Sequence, residues 1–285
     1  MAEFKSWQSF WHFEEAVIRR TRYVHGDEIR EFLETVRQTA AKHVDVLPRA
    51  TPLWRAQLGN DWRSDHSGES DFPTLDTSCR ASVVWESSVS ENHPRLPGTP
   101  CPFAPERMKP LRERAVEGRA NPKGIPFLYL ATDHMTAIGE VRPWIGSHVS
   151  VGLFKTGREL RLVNCTTGPL DVLHIGKEPP AEKREELVWT CIGEAFARPV
   201  TSSDDVADYT PTQVIAELFR TGGFDGVRYR SSLGEGHNIV LFDVDAAALE
   251  ECRLFTIQDV TFAAAEGENP QKRDRVWSIR WGKRP

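Results

Sequence analysis

The sequence has no run of the roughly 18 consecutive apolar residues that a bilayer-crossing helix needs. Its longest apolar stretches are short, such as Phe127 to Ala131 and Ile239 to Phe242, so no transmembrane span is expected. The opening residues Met1-Ala2-Glu3-Phe4-Lys5 lack a basic start followed by an apolar stretch, and Glu14 and Glu15 interrupt the next segment; we therefore expect a cytoplasmic protein. Cysteine is sparse. Cys79, Cys101, Cys165, Cys191 and Cys252 are odd in number, widely spaced and without a C-x-x-C pair, which argues against a disulfide framework or a zinc knuckle and for reduced thiols. No G-x-x-x-x-G-K-[ST], G-x-S-x-G or H-E-x-x-H occurs, and no G-x-G-x-x-G sits between a strand and a helix, which disfavours Walker ATPases, typical α/β-hydrolases and zincins. The nine histidines are scattered without ligand spacing on a helix, so no metal site is expected. Basic charge is not in excess either: 36 Lys and Arg against 41 Asp and Glu leave a net charge of −5, which excludes a generic nucleic-acid binder.

What is present is a globular composition, 39% hydrophobic and 27% charged over 285 residues. At that length about 70–75% of the unfolded surface can be buried. Between Trp7 and Leu47, apolar residues recur at helical spacing on both sides of a Gly26-Asp27 break, predicting two amphipathic helices with Asp27 as N-cap of the second and Pro48 just past its end. Thr51 to Gln57 reads as a short buried strand presenting Arg55. From Gly59 to Pro105 the composition shifts to Ser, Asp, Pro and Gly, the mark of a long surface insertion with little regular structure. A turn-rich loop, Gly118 to Pro126, leads into the strand F-L-Y-L-A, followed by a helix at about Asp133 to Glu140 and strands Val149 to Phe154 and Glu159 to Val163. Helical spacing returns at Glu182 to Phe196 and from about Pro211 to Phe219, before strands at Gly226 to Tyr229 and Asn238 to Phe242. Strands and helices mixed without regular β-α-β alternation predict an α+β fold.

Candidate chemistry rests on isolated polar residues in apolar or glycine-rich surroundings. Arg55, between Trp54 and Ala56, is costly to desolvate and requires an anionic partner; a buried carboxylate and a bidentate grip on phosphate both meet that need. Arg119 lies in Gly118-Arg119-Ala120-Asn121-Pro122-Lys123-Gly124, a basic loop that reads as an anion cradle or as a solvated turn. Tyr129 alternates with Leu128 and Leu130 and suits either a base-stacking ring or a half-buried sheet position. Glu140, at the end of its predicted helix, suits stabilisation of a developing cation, or a simple pair with Arg142. The stretch Tyr229-Arg230-Ser231-Ser232-Leu233-Gly234-Glu235-Gly236-His237-Asn238 is a glycine-punctuated loop whose hydroxyls and amides suit ligand oxygens as well as turns.

Together these pieces resemble the RES family, named for an arginine, a glutamate and a serine held in this order. The resemblance is carried by L-W-R-A-Q at Leu53 to Gln57, G-R-A-N-P-K-G-I-P-F-L-Y-L-A-T-D-H-M-T-A-I-G-E-V-R-P, D-Y-T-P-T-Q-V-I-A-E at Asp208 to Glu217, and G-F-D-G-V-R-Y-R-S-S-L-G-E-G-H-N-I-V-L-F. It implies an ADP-ribosyltransferase-like α+β fold of mixed and antiparallel sheets, with residues 1–47 as a helical N-terminal extension, 48–260 as the RES domain and 261–285 as a basic tail. It also implies an enzyme that takes NAD as substrate and cleaves the nicotinamide–ribose bond by phosphorolysis or hydrolysis, as a toxin or defence effector. Inorganic phosphate, an antitoxin or regulatory protein, and a second copy of the chain are the implied partners. By motif the catalytic residues are Arg55, Glu140 and Ser231, and the NAD-binding residues are Arg55, Arg119, Tyr129, Ser231 and Asn238. The serine motif reads Y-R-S-S, which leaves Ser231 and Ser232 both open. An ADP-ribosyltransferase acting on a protein, and a nucleic-acid or protein binding module built on the basic, tryptophan-containing tail Lys272 to Pro285, are the alternatives.

Overall fold

A computed structural model of the chain describes residues 3–63, 98–111, 113–166, 178–199 and 206–261. The first two helices follow their apolar spacing: α1 (Ser9–Arg19) buries Phe10, Phe13 and Val17, and α2 (Asp27–Thr39) buries Ile29, Phe32 and Val36. Asp27 does not cap α2. Gly26 takes the extended N-cap position, Asp27 is the first helical residue, and its carboxylate pairs with Arg30 one turn along instead of with a backbone amide. The helix also stops well short of Pro48. A short 3-10 turn, Ala40–His43, leads into strand β1 (Val44–Leu47), where Val44 and Val46 alternate with Asp45.

The remaining strands are β2 (Pro52–Leu58), β3 (Asp61–Arg63), β4 (Thr99–Cys101), β5 (Leu128–Ala131), β6 (His148–Thr156), β7 (Leu160–Asn164), β8 (Gly226–Arg230), β9 (His237–Leu241) and β10 (Ala247–Thr256). Three more α-helices are interspersed: α3 (His134–Glu140), α4 (Ala181–Ala197) and α5 (Thr210–Thr221). Eight strands form one mixed sheet in the order β1-β7-β8-β9-β5-β2-β6-β10, in which β7 and β8 run parallel and every other neighbouring pair is antiparallel. The architecture is α+β. The expected insertion begins and ends with the antiparallel pair β3–β4, and its residues 64–97 lie outside the described residues, as does the basic tail from residue 262 on. Strand β10 carries Glu250, Glu251 and Arg253 and hides from a hydropathy reading; it is an edge strand, where charge is the usual protection against further pairing.

One face of the sheet, with Val163, Val227, Tyr229 and Val240, packs against α1, α2, α4 and α5 in a single apolar cluster. The opposite face carries Leu53, Leu128, Leu130, Phe154, Leu160 and Leu162 and is covered by Phe103 and Met108. The N-terminal helices share the first cluster: Phe13 stacks on Phe32 at 4.9 Å, and the Trp189 indole of α4 donates to Thr39 Oγ1 at 3.1 Å while stacking on His43 at 4.0 Å. No break in packing falls at residue 47, since β1 pairs with β7 along its length. Among the described residues no helix is long and apolar enough to cross a membrane.

Candidate functional site

The large sheet is nearly split in two. Strands β2 and β5 share a single paired position, Trp54 opposite Ala131, whereas β2 pairs with β6 and β5 with β9 along their whole lengths. Where β2 and β5 diverge, the Arg55 guanidinium bridges them by donating from Nη1 to the Tyr129 carbonyl at 3.1 Å. The divergence opens a cleft of about 290 Å³ lined by Arg55, Tyr129, Glu140, Tyr229 and Asn238, with Ala56, Ala131 and Ala137 as small wall residues that leave it room.

Glu140 is placed by the short helix α3. Asp133 caps its start by accepting from the Thr136 N–H at 2.8 Å; burial pushes the Asp133 carboxyl up, but the bonds from the Thr136 amide and hydroxyl outweigh it and hold the carboxyl below its usual value. At the other end the chain leaves the helix immediately after Glu140, with Arg142 in the left-handed region at φ 47° and its N–H donating to the Gly139 carbonyl at 3.0 Å. Glu140 does not pair with Arg142. Its Oε1 accepts from Ser231 Oγ at 2.6 Å and from Asn238 Nδ2 at 2.7 Å. Ser231 in turn accepts from the Leu233 N–H at 3.1 Å, and Asn238 is buried on β9. Ser231, rather than Ser232, is the serine joined to the glutamate. The second oxygen of Glu140 has no hydrogen-bond partner among the described residues and stays available to a ligand.

Arg55 has no carboxylate partner among the described residues. Its Nε is buried without any hydrogen bond, and burial holds the guanidinium pKa below its ordinary value. A desolvated, half-satisfied cation beside an open cleft is a costly arrangement that an anionic ligand would complete.

Tyr129 joins the cleft to the basic loop. Its hydroxyl donates to Asn121 Oδ1 at 2.7 Å and accepts from the Ala120 N–H at 2.9 Å, and burial raises its pKa. Asn121 Nδ2 spreads across the carbonyls of Val116, Pro122 and Ile125, and Gln213 and Thr212 of α5 bond the loop carbonyls of Gly118, Asn121 and Arg119. The loop is a fixed wall. Arg119 donates to the Phe196 carbonyl, one of the orphan acceptors at the end of α4, and its guanidinium lies 5.7 Å from the Tyr229 ring centroid. It stands behind Tyr229 instead of lining the cleft.

The structure thus gathers Arg55, Tyr129, Glu140 and Asn238 in the cleft lining, with Ser231 reaching it through Glu140 and Arg119 through Tyr229. Tyr229 itself is the lining residue that the sequence pattern did not single out as a site residue. Period-two alternation over Gly226–Arg230 places Val227 and Tyr229 together on the helix-covered face, and that signal is sufficient to find it. Burial raises the Tyr229 pKa, so its phenol stays neutral.

A family model described as RES domain matches residues 95–264, which takes in Arg119, Tyr129, Glu140, Ser231 and Asn238 and leaves Arg55 outside. A solved structure, that of the M. tuberculosis MbcT–MbcA toxin–antitoxin complex, aligns at 13% identity and a TM-score of 0.38, covering 78% of this chain and 92% of that chain. No curated protein matches the chain.

Proposed function

The chain belongs to the RES domain family, and from that premise we propose that it is an NAD-degrading enzyme that cleaves the bond between nicotinamide and ribose in the cleft between β2 and β5. The observation that carries this reading is the presence, in the lining of one 290 Å³ cleft, of both a carboxylate held by Ser231 and Asn238 and an arginine whose Nε lacks a partner. The cleft takes part of a dinucleotide, and its two charges match the two ends of the reacting half: pyrophosphate and cationic ribosyl centre.

In this reading Arg55 holds the pyrophosphate and stays charged whenever ligand is bound. Glu140, its Oε1 fixed by two donors, presents its free oxygen to the ribose hydroxyls and to the positive charge that builds as the bond breaks. The C1′–N bond breaks heterolytically and its electron pair neutralises the pyridinium nitrogen, while an oxygen of phosphate, or of water that releases one O–H proton to bulk solvent, forms the new bond at C1′. The Tyr129 and Tyr229 rings, both neutral, form an apolar wall against which nicotinamide packs. A mixed sheet split near its middle suits such a ligand. A protein with this activity depletes a central cofactor, which fits a toxin or defence effector restrained by a partner protein. Incubating the full-length protein with NAD in buffers with and without phosphate, and separating products chromatographically, tests activity and acceptor together; intact NAD in both buffers with folded protein would defeat the reading.

A further inference from the structure

The serine loop is bolted to α3 through groups outside the cleft lining. The Gly236 N–H donates to Thr136 Oγ1 at 3.0 Å, and that hydroxyl donates to Asp133 Oδ2 at 2.7 Å. Beside it, the His237 N–H donates to Thr132 Oγ1 at 3.0 Å. The fit leaves no slack: a Cβ on Gly236 would stand 2.0 Å from Asp133 Oδ2 and 2.6 Å from Thr136 Oγ1. Thr136 is buried and absent from the cleft lining. It sits four residues before Glu140 on the same helix, so the two share one face one turn apart. A loop pinned at Thr136 is therefore pinned relative to Glu140.

Resting on the NAD-cleaving reading, we propose that Thr136 is a positioning residue whose hydroxyl sets the register of the 231–238 segment on α3, so that Ser231 and Asn238 both reach the same oxygen of Glu140. A purely packing role would be met equally by valine, which has nearly the shape of threonine but neither donates nor accepts; only the hydroxyl can accept from Gly236 while donating to Asp133. Loss of the bond frees the loop by a fraction of an ångström to an ångström, a displacement on the scale that costs up to about 10²-fold in rate.

The test uses full-length Thr136→Val, Thr136→Ser and Gly236→Ala, the last pushing the loop off α3 from the opposite side with the hydroxyl intact. Two readouts are taken: amide hydrogen exchange over residues 231–238, which needs no activity, and kcat and KM for NAD cleavage. The proposal expects faster exchange in the valine and alanine variants, near-wild-type exchange in the serine variant, and a kcat loss between about 10- and 10²-fold with KM little changed in the valine and alanine variants, rescued in the serine variant. Unchanged exchange in a folded Thr136→Val protein, or equal kcat loss in the serine and valine variants, overturns it. If Thr136→Val fails to fold, Gly236→Ala carries the same expectation, and unchanged exchange there overturns the proposal in its turn. Wild-type protein that leaves NAD intact defeats the parent reading instead, and the exchange comparison then decides the clamp alone.

Discussion

The Ser231 hydroxyl lies 2.6 Å from Oε1 of Glu140 across 91 residues of chain. The contact ties the loop after β8 to the last residue of α3, and Asn238 on β9 meets the same oxygen at 2.7 Å. Three elements thus converge on one carboxylate. Its orientation is set in advance of ligand binding, which is the condition for electrostatic stabilisation that needs no reorganisation during reaction.

In the proposed reading Arg55 trades stability for binding. Because its Nε is buried without a partner and no carboxylate faces it among the described residues, Arg55→Met should raise or leave unchanged the thermal midpoint while weakening NAD binding by about 10-fold or more, the value of a hydrogen bond to a charged group. Differential scanning calorimetry with titration calorimetry of NAD checks both halves. A clear loss of thermal stability would show that Arg55 is structural.

Tyr129→Phe removes one hydroxyl and leaves both the Ala120 N–H and Asn121 Oδ1 without it. The expected cost is about 1–3 kcal/mol in urea unfolding, accompanied by faster proteolysis within residues 118–125. An unfolding midpoint and cleavage pattern like the wild type would mean that the loop is held by Gln213 and Thr212 alone.

The N-terminal helices are part of the core that carries the site. Phe13, fully buried and stacked on Phe32, should cost about 3–5 kcal/mol when replaced by alanine. Chemical denaturation of Phe13→Ala measures this directly, and a loss below about 1 kcal/mol would detach α1 and α2 from the sheet energetically.

His43 adds a pH dependence to the same packing. Burial against Trp189 lowers its pKa from the usual value, with a smaller lowering from Lys42 and an opposing contribution from Glu185. Since the unfolded chain binds the proton more readily, the stabilisation is complete above the ordinary histidine pKa of about 6.5 and is lost as pH falls through the lower folded value. Thermal midpoints of wild type and His43→Gln between about pH 7.5 and about pH 5 should therefore converge on acidification. A constant gap across that range would remove His43 as the source of the pH dependence.

Much of the sheet is legible in the amino-acid pattern. Strands β2, β5, β8 and β9 are short segments of apolar or alternating residues bounded by turn residues, and Asp133 followed by an apolar period marks α3. Within the large sheet the strands that escape such a reading are the two edges: β1 is hidden because its four residues run straight on from the apolar spacing that predicts α2, and β10 because its solvent face is charged. The contacts of the candidate site residues are not legible in the sequence. Spacing makes Arg142 an equal candidate partner for Glu140, yet the positive φ at Arg142 turns the chain away and distant Ser231 and Asn238 take that place. Likewise, nothing local to Arg55 reveals that β2 and β5 diverge beside it; the divergence depends on which strands pair across the whole sheet.

The central claim is that the Glu140 carboxylate drives cleavage of the nicotinamide–ribose bond. Nicotinamide release from NAD by wild type and Glu140→Gln, measured side by side at saturating NAD with binding followed separately, addresses it most directly. Glutamine keeps an acceptor for Ser231 and Asn238 but removes the charge, so turnover should fall by about 10²-fold or more while NAD affinity and the thermal midpoint change little. Equal turnover by the two proteins would contradict the claim.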